Sequence, residues 1–287
     1  MADIRELIEL LLSEYKDKMT VAIPDDVNVQ RLMYNSLVSV RAPGLNGVVN
    51  QAYLKLQNEF LQEEIFKQGI VLTDSLLSVC EEFNIPTKKV DPEAMMKPGA
   101  RFTLCHSDKI SLYKGDITSL KVDMIVNAAD PNMLGCFTPN HISVDSRIHL
   151  LAGVELRAEC DEIVKRYGRG LRPGEARVTK GYNLNCDYIA HTAGPLFRGQ
   201  ITDQIERELT SCYQASMKEA EKLKLKTIAF PVISTGDNGY PLDAACNVAL
   251  QAIDEYFDEA DTLKKAVIVA YDEDAYYAVL GSIKDAI

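Results

Sequence analysis

The chain has 287 residues, 47% of them hydrophobic and 25% charged, which is enough for one large globular domain or two ordinary ones. Its net charge of -11 argues against nonspecific binding to nucleic-acid phosphates, because like charges repel. The sequence has no secretory signal pattern, no apolar run near the roughly 20 residues that span a bilayer, and no C-x-x-C pair among its cysteines. We therefore expect a cytoplasmic protein without disulfides, whose partner is a small ligand or another protein.

Residues 1–95 have the apolar spacing of helices. Apolar side chains recur at helical intervals between Ile4 and Leu12, and again within residues 50–68. No catalytic spacing occurs in this part, so we predict a helical N-terminal domain that packs against the rest of the chain or closes over it. Pro86 and Pro92, with polar residues between them, interrupt any helix and mark the best linker candidate. We place the boundary between residues 95 and 96.

The remaining residues, 96–287, alternate short β-rich runs with longer helical patterns. We predict strands at 110–113, 124–126, 176–181, 188–191, 227–233 and 266–271, and helices at 147–167, 203–224, 241–258 and 274–286. This alternation predicts an α/β domain with a largely parallel central sheet. Ligands of such folds bind at the carboxyl ends of the strands, so the loops after Val126 and Ile233 are candidate binding loops.

A loop of about eighteen residues follows the strand that ends near Val126, and a loop this long in a compact domain usually builds a site. It holds Cys136, His141 and Asp145, which supply a thiol, an imidazole and a carboxylate within ten positions. The polar composition predicts a functional loop between a buried strand and a helix.

The second candidate loop runs from Ser234 to Pro241 and contains two glycines and two hydroxyl residues before a helix. Backbone N–H groups can converge on a phosphate at such a place, although a simple strand-to-helix turn is an equal alternative and Asp237 adds an unfavourable charge. The patterns G-x-x-x-x-G-K-[ST] and G-x-G-x-x-G are absent, so neither an ATPase nor a simple dinucleotide fold is indicated.

Five short motifs follow one another along this part of the chain. They are Gly115-Asp116-Ile117-Thr118, Val126-Asn127-Ala128-Ala129, Asp145-x-x-Ile148-His149-x-x-Ala152-Gly153, Gly194-Pro195, and Ile233-Ser234-Thr235-Gly236 with Gly239-Tyr240-Pro241. Their order and spacing resemble the macrodomain family, which binds ADP-ribose. The resemblance implies a three-layer α/β/α fold with a mixed, largely parallel central sheet.

The loop that reads Leu134-Gly135-Cys136-Phe137-x-Pro139-x-His141 narrows this resemblance. It is similar to the zinc-containing macrodomain branch of microbial protein-ADP-ribose hydrolases, which also carries a helical N-terminal extension. That likeness implies de-ADP-ribosylation, the hydrolysis of mono-ADP-ribose from modified acidic side chains of proteins, with Cys136 and His141 as metal ligands.

The resemblance also implies roles for residues at the carboxyl ends of the strands. Asp116 would accept a hydrogen bond from the adenine amino group, with Ile117 nearby and Tyr271 packing on the base. Asn127 would lie near the distal ribose, and Asp145 would activate water or orient that ribose. The loop around the diphosphate and distal ribose would comprise Ser234, Thr235, Gly236, Asp237, Asn238, Gly239 and Tyr240.

Three positions depart from the family pattern. Ser143 stands where the family has a third metal-ligating cysteine, and a neutral hydroxyl is a much poorer zinc ligand than a thiolate, so zinc is a doubtful cofactor here. Asp130 replaces the more usual asparagine and would alter the ribose contacts or add a second acid/base. Asn238 occupies a position that is often aromatic.

Three functions are therefore open on the sequence. The first is a protein-ADP-ribose hydrolase in which Asp145 acts, with Asn127 and Asp130 beside it. The second is a catalytically weak or inactive module that reads ADP-ribose. The third is an interaction protein whose N-terminal part recruits a partner.

Overall fold

A seven-stranded sheet forms the middle layer of the fold in the computed structural model, which describes residues 3–15, 21–45, 49–84 and 102–286. The strands are β1 Val71–Leu72, β2 Ile110–Lys114, β3 Leu120–Ala128, β4 Ala176–Lys180, β5 Cys186–Thr192, β6 Thr227–Pro231 and β7 Lys265–Ala270. The order is β2-β7-β6-β3-β5-β4, and β1 pairs with the start of β3. All pairs are parallel except β4 with β5. The predicted mixed, largely parallel sheet is confirmed.

Helices cover both faces of this sheet. They are α1 Ile4–Ser13, α2 Val27–Val40, α3 Gln51–Gln68, α4 Val79–Phe83, α5 Val144–Ala152, α6 Val154–Tyr167, α7 Asp203–Lys222, α8 Leu242–Tyr256 and α9 Glu273–Asp285. Short 3-10 turns occur at Thr73–Ser75 and Ile117–Ser119. No helix in the described ranges is long and apolar enough to cross a membrane.

The sequence of β3 explains its place inside the sheet. Eight of its nine residues, all but Lys121, are buried or partly buried, as a central parallel strand with both faces covered requires. One face of the sheet packs on α7, α8 and α9 through side chains such as Leu209, Leu250 and Val279. This arrangement places the carboxyl end of β3 between two layers of helices.

The other face of the sheet packs on α5 and α6 and, through them, on the N-terminal helices. Leu7, Tyr34 and Leu61 belong to the same buried apolar cluster as Ile125 and Leu156. The helices at residues 4–12 and 50–68 are thus present as α1 and α3, and they share a core with the sheet. The linker and the boundary at residues 95 and 96 lie outside the described residues, so the two-domain division stays a prediction.

The single helix predicted over residues 147–167 is wrong. Two helices, α5 and α6, meet at Gly153, where φ is +95°. The backbone N–H of Val154 donates to Gln57 Oε1 at 3.2 Å, and a Cβ on Gly153 would lie 2.6 Å from Gln57 Nε2. The break therefore makes room for a side chain of α3. The apolar pattern of residues 147–167 gives no information about that distant residue, so it could not predict the break.

Candidate active site

The carboxyl ends of the parallel strands meet at one edge of the sheet and bring the predicted loops together. Gly115, after β2, donates its N–H to Ala270 O at 2.9 Å, which joins the end of β2 to the end of β7. Asn238, in the loop after β6, donates from Nδ2 to Gly194 O, after β5, at 3.0 Å. The strands that lead into these loops are parallel and end on the same side of the sheet. The five motifs therefore lie along one continuous edge.

Asn127 and Asp145 form a buried pair at the centre of this edge. Asn127, near the end of β3, is fully buried, and its Nδ2 donates to Asp145 Oδ1 at 2.7 Å. Asp145 lies in the first turn of α5 and is 6% exposed. Burial raises its pKa above the usual aspartate range, and the hydrogen bond from Asn127 opposes that shift. The pair is a carboxylate held in place by an amide.

His191 fixes the other hydrogen of this amide. Asn127 Nδ2 lies 3.2 Å from His191 Nδ1, so Nδ1 must accept and the ring proton must sit on Nε2, which lies 2.9 Å from Thr179 Oγ1. His149 Nε2 lies 3.5 Å from Asp145 Oδ1. Burial lowers the pKa of both histidines to about 3, with the Arg157 charge adding to the shift at His149. Both rings are neutral supports for the pair.

Several buried polar atoms at this edge have no hydrogen-bond partner within the protein. They include Asn127 Oδ1, Ser234 Oγ and Tyr240 Oη. Buried polar groups in folded proteins are rarely left unpaired, because each one costs roughly 1–3 kcal/mol. Their common position at the strand ends marks the place where a polar ligand or water completes the site.

The loop after β6 is a tight turn closed by its own backbone hydrogen bonds. Ser234 adopts φ +69°, Tyr240 N donates to Ser234 O at 2.9 Å, and Gly239 N donates to Gly236 O at 2.8 Å. A Cβ on Gly236 would meet no atom within 4 Å. The helix that follows, α8, has Pro241 at its N-cap and no side-chain cap. An uncapped helix N-terminus beside an open turn suits a phosphate.

The remaining predicted residues of this loop have contacts of their own. Thr235 Oγ1 donates to Val232 O at 2.9 Å, and the exposed Asp237 carboxylate lies 3.3 Å from His141 Nε2. Asn238 bridges to Gly194 instead of presenting a ring. A Cβ on Gly194 would lie 2.0 Å from Ser234 Oγ, so only glycine fits this close approach.

Asp116 and Tyr271 lie together at the other end of the edge. Asp116 Oδ1 accepts from Thr118 N at 2.9 Å and from Thr118 Oγ1 at 2.6 Å, while Oδ2 lies 2.9 Å from Arg147 Nε. Ile117 is buried, and Tyr271 is 71% exposed directly after β7. A half-buried carboxylate beside an exposed ring can receive a planar base that offers hydrogen-bond donors.

Asp130 contributes its backbone to the central pair. Its N–H points to Asp145 Oδ2 at 3.4 Å, and its side chain accepts from Asn132 N at 2.8 Å. The Asp130 charge also contributes to the raised pKa of Asp145. The acid/base role of its exposed carboxylate stays a prediction.

The predicted metal residues do not form a three-ligand set. Ser143 is the N-cap of α5, accepting from Ser146 N at 3.1 Å, and His141 Nδ1 lies 3.4 Å from Ser146 Oγ. Cys136 Sγ accepts from Thr138 N at 3.3 Å. Within the described residues, neither Cys136 nor His141 belongs to a group of three histidine, cysteine or acidic ligand atoms within 4.8 Å. The donors present fall short of the three protein ligands of a catalytic zinc site.

One such group does occur among the described residues, namely His149, Cys160 and His191. Its surroundings disfavour a cation, because the positive charge of Arg157 acts on His149 and would repel one, and burial raises the pKa of the Cys160 thiol, which must lose its proton to bind a metal. Both ring nitrogens of His191 also have hydrogen-bond partners already. We assign the cluster to the support of Asn127.

Sequence reasoning missed Gln68 and Arg147, which contact the Asp116 end of the site. Arg147 Nη2 donates to Gln68 Oε1 at 2.6 Å, across 79 positions of sequence. Residues 67–71 resemble the helical N-terminal extension of the zinc-containing branch, but that resemblance assigns no role to Gln68, and Arg147 occupies an unspecified position of its motif. Only the docking of α3 beside α5 brings the two together. A single sequence offers no signal for such a contact.

Comparison with known proteins decides the family. The family model for the Macro domain matches residues 126–249. A protein named protein-ADP-ribose hydrolase from Treponema medium is 34% identical over 267 residues, which cover 93% of this chain and 92% of that protein. The chain belongs to the macrodomain family. The family and the fold predicted from the motifs are thus confirmed.

Two further relatives extend the likeness of this macrodomain protein beyond the matched region. A protein-ADP-ribose hydrolase from Staphylococcus aureus strain Mu50 is 41% identical over 267 residues, covering 93% of this chain and 89% of that protein. The crystal structure of a Trypanosoma brucei macrodomain in complex with ADP-ribose has a TM-score of 0.59 and 26% identity, covering 87% of this chain and 94% of that one. The first of these likenesses spans almost the whole macrodomain protein, N-terminal helices included.

Proposed function

We propose that this macrodomain protein binds ADP-ribose along the carboxyl edge of its sheet and hydrolyses mono-ADP-ribose from modified acidic side chains of proteins. The observation that carries the proposal is the buried Asn127–Asp145 pair, next to unpartnered polar atoms at the strand ends. The names of the Treponema and Staphylococcus relatives support the activity, and the Trypanosoma complex supports the ligand.

The three parts of the edge suit the three parts of the ligand. The carboxylate of Asp116 and the exposed ring of Tyr271 are suited to adenine, with Ile117 buried beneath. The loop from Ser234 to Tyr240 and the N-terminus of α8 are suited to the diphosphate. Asn127 Oδ1 is a free acceptor, since both hydrogens of its amide are engaged, and it is suited to a hydroxyl of the distal ribose.

The chemical step that this geometry supports is general-base hydrolysis. A water oxygen joins the anomeric carbon of the distal ribose, the bond from that carbon to the side-chain carboxylate breaks, and the water proton passes to Asp145. The raised pKa of Asp145 makes its carboxylate a stronger base than an exposed aspartate. The same negative charge stabilises the oxocarbenium-like transition state. Asn127 keeps the carboxylate oriented throughout.

A paired binding and turnover experiment tests the proposal. We expect the wild-type protein to bind ADP-ribose in calorimetry and to release ADP-ribose from a glutamate- or aspartate-modified protein. Asp145→Asn keeps the shape and the hydrogen bond from Asn127, so it should bind ADP-ribose normally and lose about 100-fold or more in turnover. Binding without wild-type turnover would instead identify a module that reads ADP-ribose.

Some finer expectations from the sequence stay predictions. The absence of nucleic-acid partners is expected from the net charge of -11, and a cytoplasmic location from the lack of a signal pattern and of paired cysteines. The role of Asp130 as a second acid/base belongs with them. Turnover by Asp130→Asn at the wild-type rate would remove that role.

A further inference from the structure

The last residue of α3, Gln68, reaches from the N-terminal helices into the ligand edge. Its Oε1 accepts from Arg147 Nη2 at 2.6 Å, and its Nε2 donates to Thr118 Oγ1 at 3.2 Å. Gly69 ends the helix directly afterwards at φ +90°, so the amide projects from the helix terminus. Gln68 is half-buried between two residues that both contact Asp116.

Both neighbours of Gln68 hold the carboxylate of Asp116. Arg147 Nε donates to Oδ2 at 2.9 Å, and Thr118 Oγ1 donates to Oδ1 at 2.6 Å. One amide therefore supports two independent hydrogen bonds, one to each carboxylate oxygen. A carboxylate held from both sides cannot rotate freely. Oδ1 accepts from both the N–H and the hydroxyl of Thr118, so Oδ2 is the oxygen that keeps a further lone pair for a ligand.

Hydrogen-bond chemistry permits only one arrangement of this network. The guanidinium of Arg147 has no acceptor, so it must face the carbonyl oxygen of Gln68. The single hydroxyl hydrogen of Thr118 goes to Asp116, so Thr118 must accept from the amide nitrogen of Gln68. Neither leucine nor a carboxylate at position 68 could satisfy both partners. A glutamine satisfies both, because its amide oxygen accepts from Arg147 and its amide nitrogen donates to Thr118.

We propose that Gln68 is a positioning residue of the adenine subsite, through which the N-terminal helices set the selectivity for the nucleobase. The inference rests on the proposed binding of ADP-ribose and assigns the selectivity of that binding to the end of α3. A fixed acceptor-only carboxylate favours adenine, which offers an amino donor, over hypoxanthine, which offers a carbonyl oxygen at the same place. Loosening that carboxylate weakens the discrimination between the two bases.

Calorimetric titration with ADP-ribose and with IDP-ribose, which carries hypoxanthine, tests this role. We expect Gln68→Ala to raise the Kd for ADP-ribose about five- to tenfold, because the carboxylate loses support on both sides, and the Kd for IDP-ribose less than about twofold. Turnover should show a higher KM with kcat within about twofold of wild type, since Asn127 and Asp145 are untouched.

Gln62→Ala is the matched control. Gln62 is a glutamine of the same helix whose Nε2 donates to Asn183 O at 2.8 Å, away from Asp116. It should leave both nucleotide affinities within about twofold of wild type. Gln68→Asn, which keeps the amide and shortens its reach, should lose discrimination as Gln68→Ala does. The ratio of the two Kd values measures discrimination between the bases. A lower melting temperature of a variant does not change this ratio, because both ligands are measured on the same folded protein.

The inference is overturned if Gln68→Ala leaves the ratio of the two Kd values at the wild-type level, whether both affinities fall together or neither changes. Full discrimination by Gln68→Asn would overturn it as well. A wild-type protein that binds no ADP-ribose would overturn the proposed function itself, so the two failures give different results.

Discussion

The guanidinium of Arg157 lies over the ring of Phe137, with 4.6 Å between its Cζ and the ring centroid. The same guanidinium donates from Nη1 to the carbonyl oxygens of Val38, Ser39 and Arg41 at 3.0, 2.8 and 2.8 Å. Arg157 is only 7% exposed. One buried cation thus joins the end of α2 to the long loop that follows β3.

We predict that Arg157→Ala lowers the free energy of unfolding by about 3 kcal/mol, because it leaves three carbonyl groups without their charged donor and removes the contact with Phe137. Urea unfolding followed by circular dichroism measures the change. Arg169→Ala is the control, since Arg169 forms an exposed ion pair with Glu175 and should cause a much smaller loss. Equal losses in the two variants would contradict the structural role of Arg157.

We predict that stability falls in acid because of His149 and His191. Their folded pKa values of about 3 lie below the usual 6.5, so the unfolded chain binds protons first as the pH decreases. Their contribution is complete above about pH 6.5 and is lost towards pH 3, at up to about 1.4 kcal/mol per pH unit for each histidine. Urea midpoints at several pH values measure this slope, and His149→Asn should make it shallower.

We predict that Asp145 has the opposite effect on the pH dependence of stability to that of His149 and His191. Burial raises its folded pKa, so its contribution to stability is present in acid and is lost as the pH rises through that pKa. We expect Asp145→Asn to stabilise the protein at neutral pH and to steepen its loss of stability in acid. A variant with a shallower acid slope than wild type would show that the Asp145 carboxyl is not held in the raised state.

We predict that Asp237→Asn tightens ADP-ribose binding about two- to fivefold at low salt, because it removes an exposed negative charge from the loop that is suited to the diphosphate. The gain should shrink at high salt as the interaction is screened. Asp261→Asn, at the opposite edge of the sheet just before β7, is the control for net charge and should leave the affinity unchanged. An equal gain from both variants would assign the effect to overall charge.

We predict that turnover does not depend on zinc in this chain and that Ser143→Cys creates zinc binding. The hydroxyl of Ser143 caps α5, whereas a thiolate would add a third ligand to Cys136 and His141. Metal analysis after dialysis should find about one zinc per chain only in Ser143→Cys, at a cost of about 1 kcal/mol for the lost cap. Stoichiometric zinc in the wild-type protein, or loss of its turnover with a chelator, would contradict this prediction.

The parts of the fold that the sequence predicts best are the buried strands and the motifs at their ends. The continuous apolar run of β3 and the polar residues after it locate Asn127 and Asp145 correctly at one edge, since parallel strands end together. Local signals suffice there because each feature is encoded within a few neighbouring residues.

The features that the sequence does not predict depend on contacts between distant segments. Gln57 contacts the break in the helix predicted over 147–167, and Gln68 accepts from Arg147. The stretches around both glutamines resemble the family's N-terminal extension, but nothing in the sequence indicates these contacts. The sequence alone suggests that Ser143 replaces a metal ligand. Its role as the N-cap of α5 is visible only in the structure. Side-chain partners separated by many positions are set by packing, which periodicity does not describe.

The part of the chain that folds together is larger than the part that the family model matches, because one apolar cluster joins α1–α3 to the sheet. The family match begins at residue 126, yet Tyr34, Tyr53 and Leu61 complete the layer that covers α5 and α6. A fragment cut at the family boundary would expose that layer to water and invite aggregation. We expect calorimetry of the full chain to show one melting transition, so that helices remote from the chemistry govern the lifetime of the enzyme in solution.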